Sequence, residues 1–205
     1  MPLLDATASG PDLEAALGAV SATLAAGGVV GLPTDTVYGL AALPGVTGAT
    51  AAVFGLKGRP DESPLPVLVT GPEQAAELGQ MEGAAGLLAG RLWPGGLTLV
   101  VPRRSGIAWD LGGDPATIGL RCPDHPVARL LCARCGPLAA TSANRHGEPA
   151  LASAAEVVEA FPGLVVLDGG ECRGVASTVV DLTGPEPRLL RRGAVAWEDV
   201  LASLG

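Results

Sequence analysis

The chain has 205 residues, 48% of them hydrophobic, enough for one domain or at most two with a sizeable core. No apolar run approaches a membrane span, and the N-terminus has neither a basic start nor an apolar leader, so a soluble cytoplasmic protein is expected. A net charge of −8 argues against a general nucleic-acid binder, which would need a basic excess to neutralise phosphates.

Pro11 and Asp12 open a helix to about Ala26, with Leu13, Leu17, Val20 and Leu24 on one face and Gly27-Gly28 ending it. The apolar run Val29 to Leu32 reads as a buried strand that stops at Pro33. Thr34, Asp35, Thr36, Tyr38 and Gly39 follow, placing hydroxyls at a strand's carboxyl end, where α/β proteins hold small polar ligands. The same residue types also build ordinary turns. A helix is expected over Ala49 to Leu56, then the segment LKGRP, a short strand Pro66 to Val69, and helices from Pro72 and over Gly83 to Leu92. WPGG at 93–96 reads as a turn between the last helix and a strand Leu97 to Val101. The rest alternates: strand Thr117 to Arg121, helix Pro126 to Ala133, strand Leu138 to Thr141 and helix Ser153 to Ala160. Strands Leu164 to Leu167, Thr178 to Leu182 and Arg188 to Leu190 precede a closing helix Glu198 to Leu204. Interleaved helices and strands point to one α/β domain spanning the chain. The late strands lack intervening helices, so a mixed sheet is expected rather than a purely parallel one.

No phosphate-binding glycine motif is present: neither G-x-x-x-x-G-K-[ST] nor G-x-G-x-x-G occurs. Lys57 and Arg59 form K-x-R, which in an extended segment would put two cations on one side for a polyphosphate or carboxylate. A solvated basic turn at a helix C-terminus explains the pair equally well. Ser142 and Asn144 form S-x-N after a strand, able to meet a ribose, a phosphate or a base edge, or simply to make a turn. Arg121 and Arg191 both end strands and could clamp an anion or lie at the surface. Ser177 and Thr178 open a strand, as β-propensity alone would allow. Of the four cysteines, Cys132 and Cys135 form C-A-R-C at a helix end, with no second close pair for zinc and no helix opening behind a strand for redox work. No metal site is expected.

Taken in order, PTDTVYGL, LKGRP, WPGGLTLVV, TIGLRCPDHP, PLAATSANRHGEPA, STVVDL and LLRRG resemble the YrdC-like family, the threonylcarbamoyl-AMP synthases, over about residues 12–193. The resemblance implies one domain built on a twisted mixed sheet flanked by helices, with a concave basic cleft. It implies condensation of L-threonine, bicarbonate or CO2, and ATP with Mg2+ into threonylcarbamoyl-AMP and pyrophosphate. The product would pass to a separate complex that modifies adenosine 37 of tRNA, so direct RNA binding is not expected. By the same resemblance Thr34, Thr36, Arg121 and Ser177 would hold threonine. Lys57, Arg59, Ser63, Thr117, Ser142, Asn144 and Arg191 would hold ATP, with Lys57 and Arg59 carrying catalysis. The chain departs from the family pattern at Ser63 (often Lys or Asn), Leu68 (His in some members), His146, Ala150 and the second glycine of WPGG. It also ends soon after Arg191, without the extra C-terminal domain of longer members. A different amino-acid or carbamoyl substrate, or a non-catalytic RNA-binding role, are the alternatives.

Overall fold

The computed structural model describes residues 3–58, 63–145 and 147–205. Ten strands form one sheet: β1 (Leu3–Asp5), β2 (Val30–Leu32), β3 (Gly39–Ala42), β4 (Val67–Leu68), β5 (Leu97–Pro102), β6 (Thr117–Arg121), β7 (Leu138–Ser142), β8 (Val165–Asp168), β9 (Thr178–Asp181) and β10 (Arg188–Arg191). Their spatial order is β1-β8-β2-β3-β7-β4-β6-β5-β9-β10. Four neighbouring pairs run parallel and five antiparallel, so the sheet is mixed as expected.

Among the described residues, seven helices flank the sheet: α1 (Pro11–Ala25), α2 (Ala49–Lys57), α3 (Pro72–Leu78), α4 (Ala84–Leu92), α5 (Pro126–Cys135), α6 (Ala154–Ala160) and α7 (Trp197–Ala202). Proline opens α1, α3 and α5, where its missing N–H and fixed φ cost nothing. Strand alternation divides the buried residues into two cores. On one face, Val30 and Leu32 of β2, Leu138 of β7 and Leu167 of β8 pack beneath Leu17, Val20 and Leu24 of α1 and Leu131 of α5. On the other, Val166, Val67, Leu99 and Leu120 pack with Val53 of α2, Leu88 of α4 and Val157 of α6.

Two strands were not anticipated. β1 is three residues long at the sheet edge, paired only with β8. β3, with the sequence GLAA, pairs with β2 on one side and β7 on the other. The first helix face is as read, except that Leu13 is only half-buried.

The two faces are covered unequally. The α1–α5 pair lies over the β1-β8-β2-β3-β7 end of its face. Farther along that face, the alternate residues of β6 and β5 (Thr117, Gly119 and Arg121; Thr98 and Val100) have no helix above them among the described residues. Their neighbours Ile118, Leu120, Leu99 and Val101 point into the opposite core. The segment 169–177, between β8 and β9, carries the chain from the second position in the sheet to the ninth. It passes the 33–38 turn, held by Gly174 N–H to Thr36 O at 2.8 Å and by the Tyr38 hydroxyl to Gly170 O at 2.8 Å.

Candidate functional site

The uncovered half-face is the floor of a cavity of about 350 Å3, within the usual ligand-pocket range. Thr34, Thr36, Ser63, Thr117, Arg121, Ser142, Ser177 and Arg191 all line it. Lys57 and Asn144 stand directly behind Ser142, and Arg59 lies outside the described residues. Among the described lining residues there is no Cys, His, Asp or Glu.

Arg121 anchors one end. It closes β6, is 6% exposed, and lies opposite Leu68 in the β4–β6 register. Its Nε donates to Gly95 O at 3.0 Å, Nη1 to Thr36 Oγ1 at 2.8 Å and Nη2 to Asp35 Oδ1 at 2.6 Å. Burial pulls the guanidinium pKa down and Asp35 opposes it by charge and hydrogen bond, while nearby Arg191 adds to the pull. Of five N–H groups, three are used here, leaving two for an anion.

Proton accounting fixes the direction of the neighbouring bonds. Thr34 Oγ1 donates its only proton to Val37 O at 2.7 Å, so in the 2.9 Å contact between the two hydroxyls Thr36 must be the donor. Thr34 Oγ1 also accepts from the N–H groups of Thr36 and Val37, both at 3.2 Å. Its hydroxyl is thus fully occupied in building the turn. Thr36 keeps one lone pair, so toward the cavity it can only accept.

Ser177 and Arg191 form the facing side. Arg191 Nε donates to Ser177 O at 3.0 Å and Nη2 to Ser177 Oγ at 2.9 Å, and Ser177 Oγ lies 2.9 Å from Thr98 Oγ1. Gly193 makes this approach possible, because a Cβ there would collide with Ala176 O and the Ser177 backbone. Thr117 Oγ1 donates to Asp114 O at 3.3 Å, and its carbonyl accepts from Arg103 Nε at 3.0 Å.

Lys57 corrects the reading of K-x-R as an extended pair. It is the last residue of α2, and Gly58 turns the chain away in the left-handed conformation (φ 60°). Nor is it a solvated turn residue: it is 4% exposed. Its ammonium donates to Asn144 Oδ1 at 2.6 Å, Ser142 O at 2.7 Å and Asn144 O at 3.1 Å, with Ser142 Oγ at 3.3 Å. Ser142 Oγ in turn donates to Asn144 Oδ1 at 2.6 Å, and Asn144 Nδ2 holds Arg145 O and Glu148 O. The S-x-N segment and Lys57 are one buried cluster at the end of β7.

Residues of this site that went unassigned in the sequence reading include Asp35, Tyr38, Thr98 and Arg103. Asp35 sits between the two chosen threonines, and Tyr38 is the chain's only tyrosine, so both could have been singled out. Thr98 and Arg103 carry no such mark. Both C-A-R-C cysteines lie in the last turns of α5, and burial pushes the Cys132 thiol up to about 12. Among the described residues no three His, Cys, Asp or Glu side chains come together as a metal site, and no helix is long and apolar enough to cross a membrane.

Residues 22–193 match the model of the Sua5/YciO/YrdC family, whose description reads "Telomere recombination". The chain belongs to the Sua5/YciO/YrdC family. Among its relatives, the threonylcarbamoyl-AMP synthase of Pyrococcus abyssi is 40% identical over 87% of this chain and 54% of its own length. The human threonylcarbamoyl-AMP synthase is 38% identical over 92% of this chain and 71% of its own. The crystal structure of P. abyssi Sua5 complexed with L-threonine superposes with a TM-score of 0.87 at 38% identity, covering 92% of this chain and 57% of that one. The chain therefore spans little more than half the length of the Pyrococcus protein.

Proposed function

We propose that the protein is a threonylcarbamoyl-AMP synthase, joining L-threonine, bicarbonate or CO2, and ATP to give threonylcarbamoyl-AMP and pyrophosphate. The observation that carries this is the convergence, in one cavity, of an arginine with two unused N–H groups (Arg121) and a hydroxyl-lined wall, beside the Lys57–Ser142–Asn144 cluster. The relatives' shared name and the threonine complex of one of them support it.

The chemistry asks little of protein nucleophiles. The threonine amine adds to CO2, losing a proton, to give a carbamate. A carbamate oxygen attacks the α-phosphorus of ATP, and pyrophosphate leaves with the electrons of the broken P–O bond. In such a step alignment and charge neutralisation supply the rate. Arg121 takes the threonine carboxylate and Thr36 accepts a hydrogen bond from the substrate. Thr34 acts by shaping the turn. Arg191, held on Ser177, faces the phosphate side together with Thr117 and Ser63. Ser142 meets the nucleotide, with Lys57 and Asn144 setting its position, and Arg59 is assigned to the phosphates by the K-x-R motif. Mg2+ would enter with ATP, held by phosphate oxygens and by site hydroxyls such as Ser142, and would supply neutralisation of the phosphate charge. The product goes to a separate transferase that modifies tRNA.

The test is incubation with ATP, bicarbonate and each amino acid in turn, followed by pyrophosphate detection. Release only with L-threonine is expected. Release with another amino acid would move the assignment to that substrate, which the leucine at position 68 of the cavity wall leaves physically open. No release with any amino acid, alongside salt-sensitive RNA binding, would replace the enzyme by a binding module.

A further inference from the structure

We infer that Asp35 is a positioning residue for the amino-acid substrate, holding the Arg121 guanidinium in the orientation that leaves two N–H groups for a carboxylate. The inference rests on the reading of Arg121 as the carboxylate clamp.

Asp35 is not among the residues lining the cavity, whereas its neighbours Thr34 and Thr36 are. Its Oδ1 accepts two hydrogen bonds, from Arg121 Nη2 at 2.6 Å and from the Asp124 N–H at 3.0 Å. The Asp35 and Arg121 side chains are 11% and 8% exposed. One carboxylate oxygen thus ties together the turn after β2, the end of β6 and the residue just before His125, the N-cap of α5. The other two holds on Arg121, Thr36 Oγ1 and Gly95 O, are neutral. Among the described residues Asp35 is the carboxylate that pairs with Arg121, and it does so against a second cation, because Arg191 is close enough to repel Arg121. A guanidinium without Asp35 would be pushed from its place by Arg191 and would turn toward water at the cavity mouth. A carboxylate arriving from solvent would then meet a mobile cation and bear the cost of ordering it.

The experiment uses the full chain. L-threonine and ATP affinities are measured separately by calorimetry, and the Arg121 guanidinium is followed by NMR, where a held fork shows distinct Nη signals. Asp35→Asn is expected to weaken L-threonine binding by about tenfold or more and ATP binding by less than about twofold, with the Nη signals merging. Should that variant fail to fold, Asp35→Glu is read in the same way. It keeps the charge but carries it one methylene farther, and at least about fivefold weaker L-threonine binding with shifted Nη signals is expected. A folded variant with L-threonine affinity within about twofold of the parent overturns the inference. If the parent chain itself has no affinity for L-threonine, the proposed function fails. The NMR arm then decides alone: merged or shifted signals uphold Asp35 as the holder of Arg121, and unchanged signals refute it.

Discussion

Replacing Lys57 by methionine tests the site at its most deeply buried charge. Methionine keeps the apolar stem packed at the end of α2 and removes only the ammonium. Lys57 has three protons, and its acceptors among the described residues include four, the best at 2.6, 2.7 and 3.1 Å. A hydrogen bond to a charged group is worth about 1.5–3 kcal/mol net, and a buried acceptor left unpaired costs a similar amount. Some of this is recovered, because Asn144 Oδ1 keeps the Ser142 hydroxyl and Ser142 O can shift toward water. A loss of about 3 kcal/mol is therefore expected, which at about 2–4 °C per kcal/mol for a chain of this size lowers the melting temperature by about 6–12 °C. The functional loss should be larger. Ser142 and Asn144 are set by this ammonium, and misplacement of a positioning group by about 1 Å costs about a hundredfold in rate. Differential scanning calorimetry and amino-acid-dependent pyrophosphate release read the two effects. Melting within about 1 °C of the parent together with near-normal turnover would refute both the buried hydrogen-bond assignment and the role given to the cluster.

Thr34→Val should cost about 1–3 kcal/mol of stability, since Val37 O and two backbone N–H groups lose their partner, whereas Thr36→Val should chiefly weaken L-threonine binding by releasing Arg121 Nη1. Equal melting temperatures for the two variants would contradict the proton accounting. His125 supplies a pH dependence. Burial drives its pKa below 6.5, and the Gly169 backbone bond and the charges of Asp35 and Asp124 only partly offset this. Its Nδ1 is buried without a partner. The unfolded chain therefore binds a proton near pH 6.5 that the folded chain refuses, so stability is complete above that pH and erodes as pH falls through it. Between about pH 7.5 and about pH 5.5 the parent should lose more melting temperature than His125→Asn, and identical losses would rule His125 out as the source. Gly119 lies on the cavity floor, where an added Cβ would meet Pro66 and Thr98 at 3.5 and 3.6 Å, ordinary contact distances. Gly119→Ala should fold normally and lose ligand affinity; unchanged affinity would mean that nothing binds over β6.

The order and type of most elements could be read from apolar runs and from the prolines and glycines that bound them. β3 could not, because Gly39, Ala41 and Ala42 have poor strand propensity. Its conformation comes from pairing with β2 and β7 on both sides, which no local window contains. The site shows the same division. Thr36, Arg121, Ser142 and Ser177 stand out as polar residues at or beside strand ends. Their partners do not, because Asp35 and Arg121 are 86 residues apart, and Lys57 and Asn144 are 87 apart. The K-x-R geometry went astray for a local reason: α2 runs one residue farther than expected, and the left-handed Gly58 breaks the extended path that the spacing assumed. One compositional signal was available. Lys57 is the only lysine beside twelve arginines, and a compact ammonium can enter a cluster of closely spaced oxygens where a planar guanidinium cannot.

The placement of the cavity follows from how many helices the sheet face receives. Ten strands present more surface than α1 and α5 can cover, and their shared core ends near Leu68 and Ala140, which also line the cavity wall. Beyond that line, alternation within β5 and β6 keeps Leu97, Leu99, Val101, Ile118 and Leu120 in the opposite core, so these strands are held firmly from below. Among their upper residues, Thr98, Thr117 and Arg121 are polar and line the cavity. The floor is therefore rigid because of one set of side chains and chemically distinctive because of the alternate set. A substitution in β5 or β6 should act on stability or on binding according to which face its position occupies. Arg121 is the exception that joins the two, since it lines the cavity and its buried ion pair with Asp35 fastens β6 to the turn after β2.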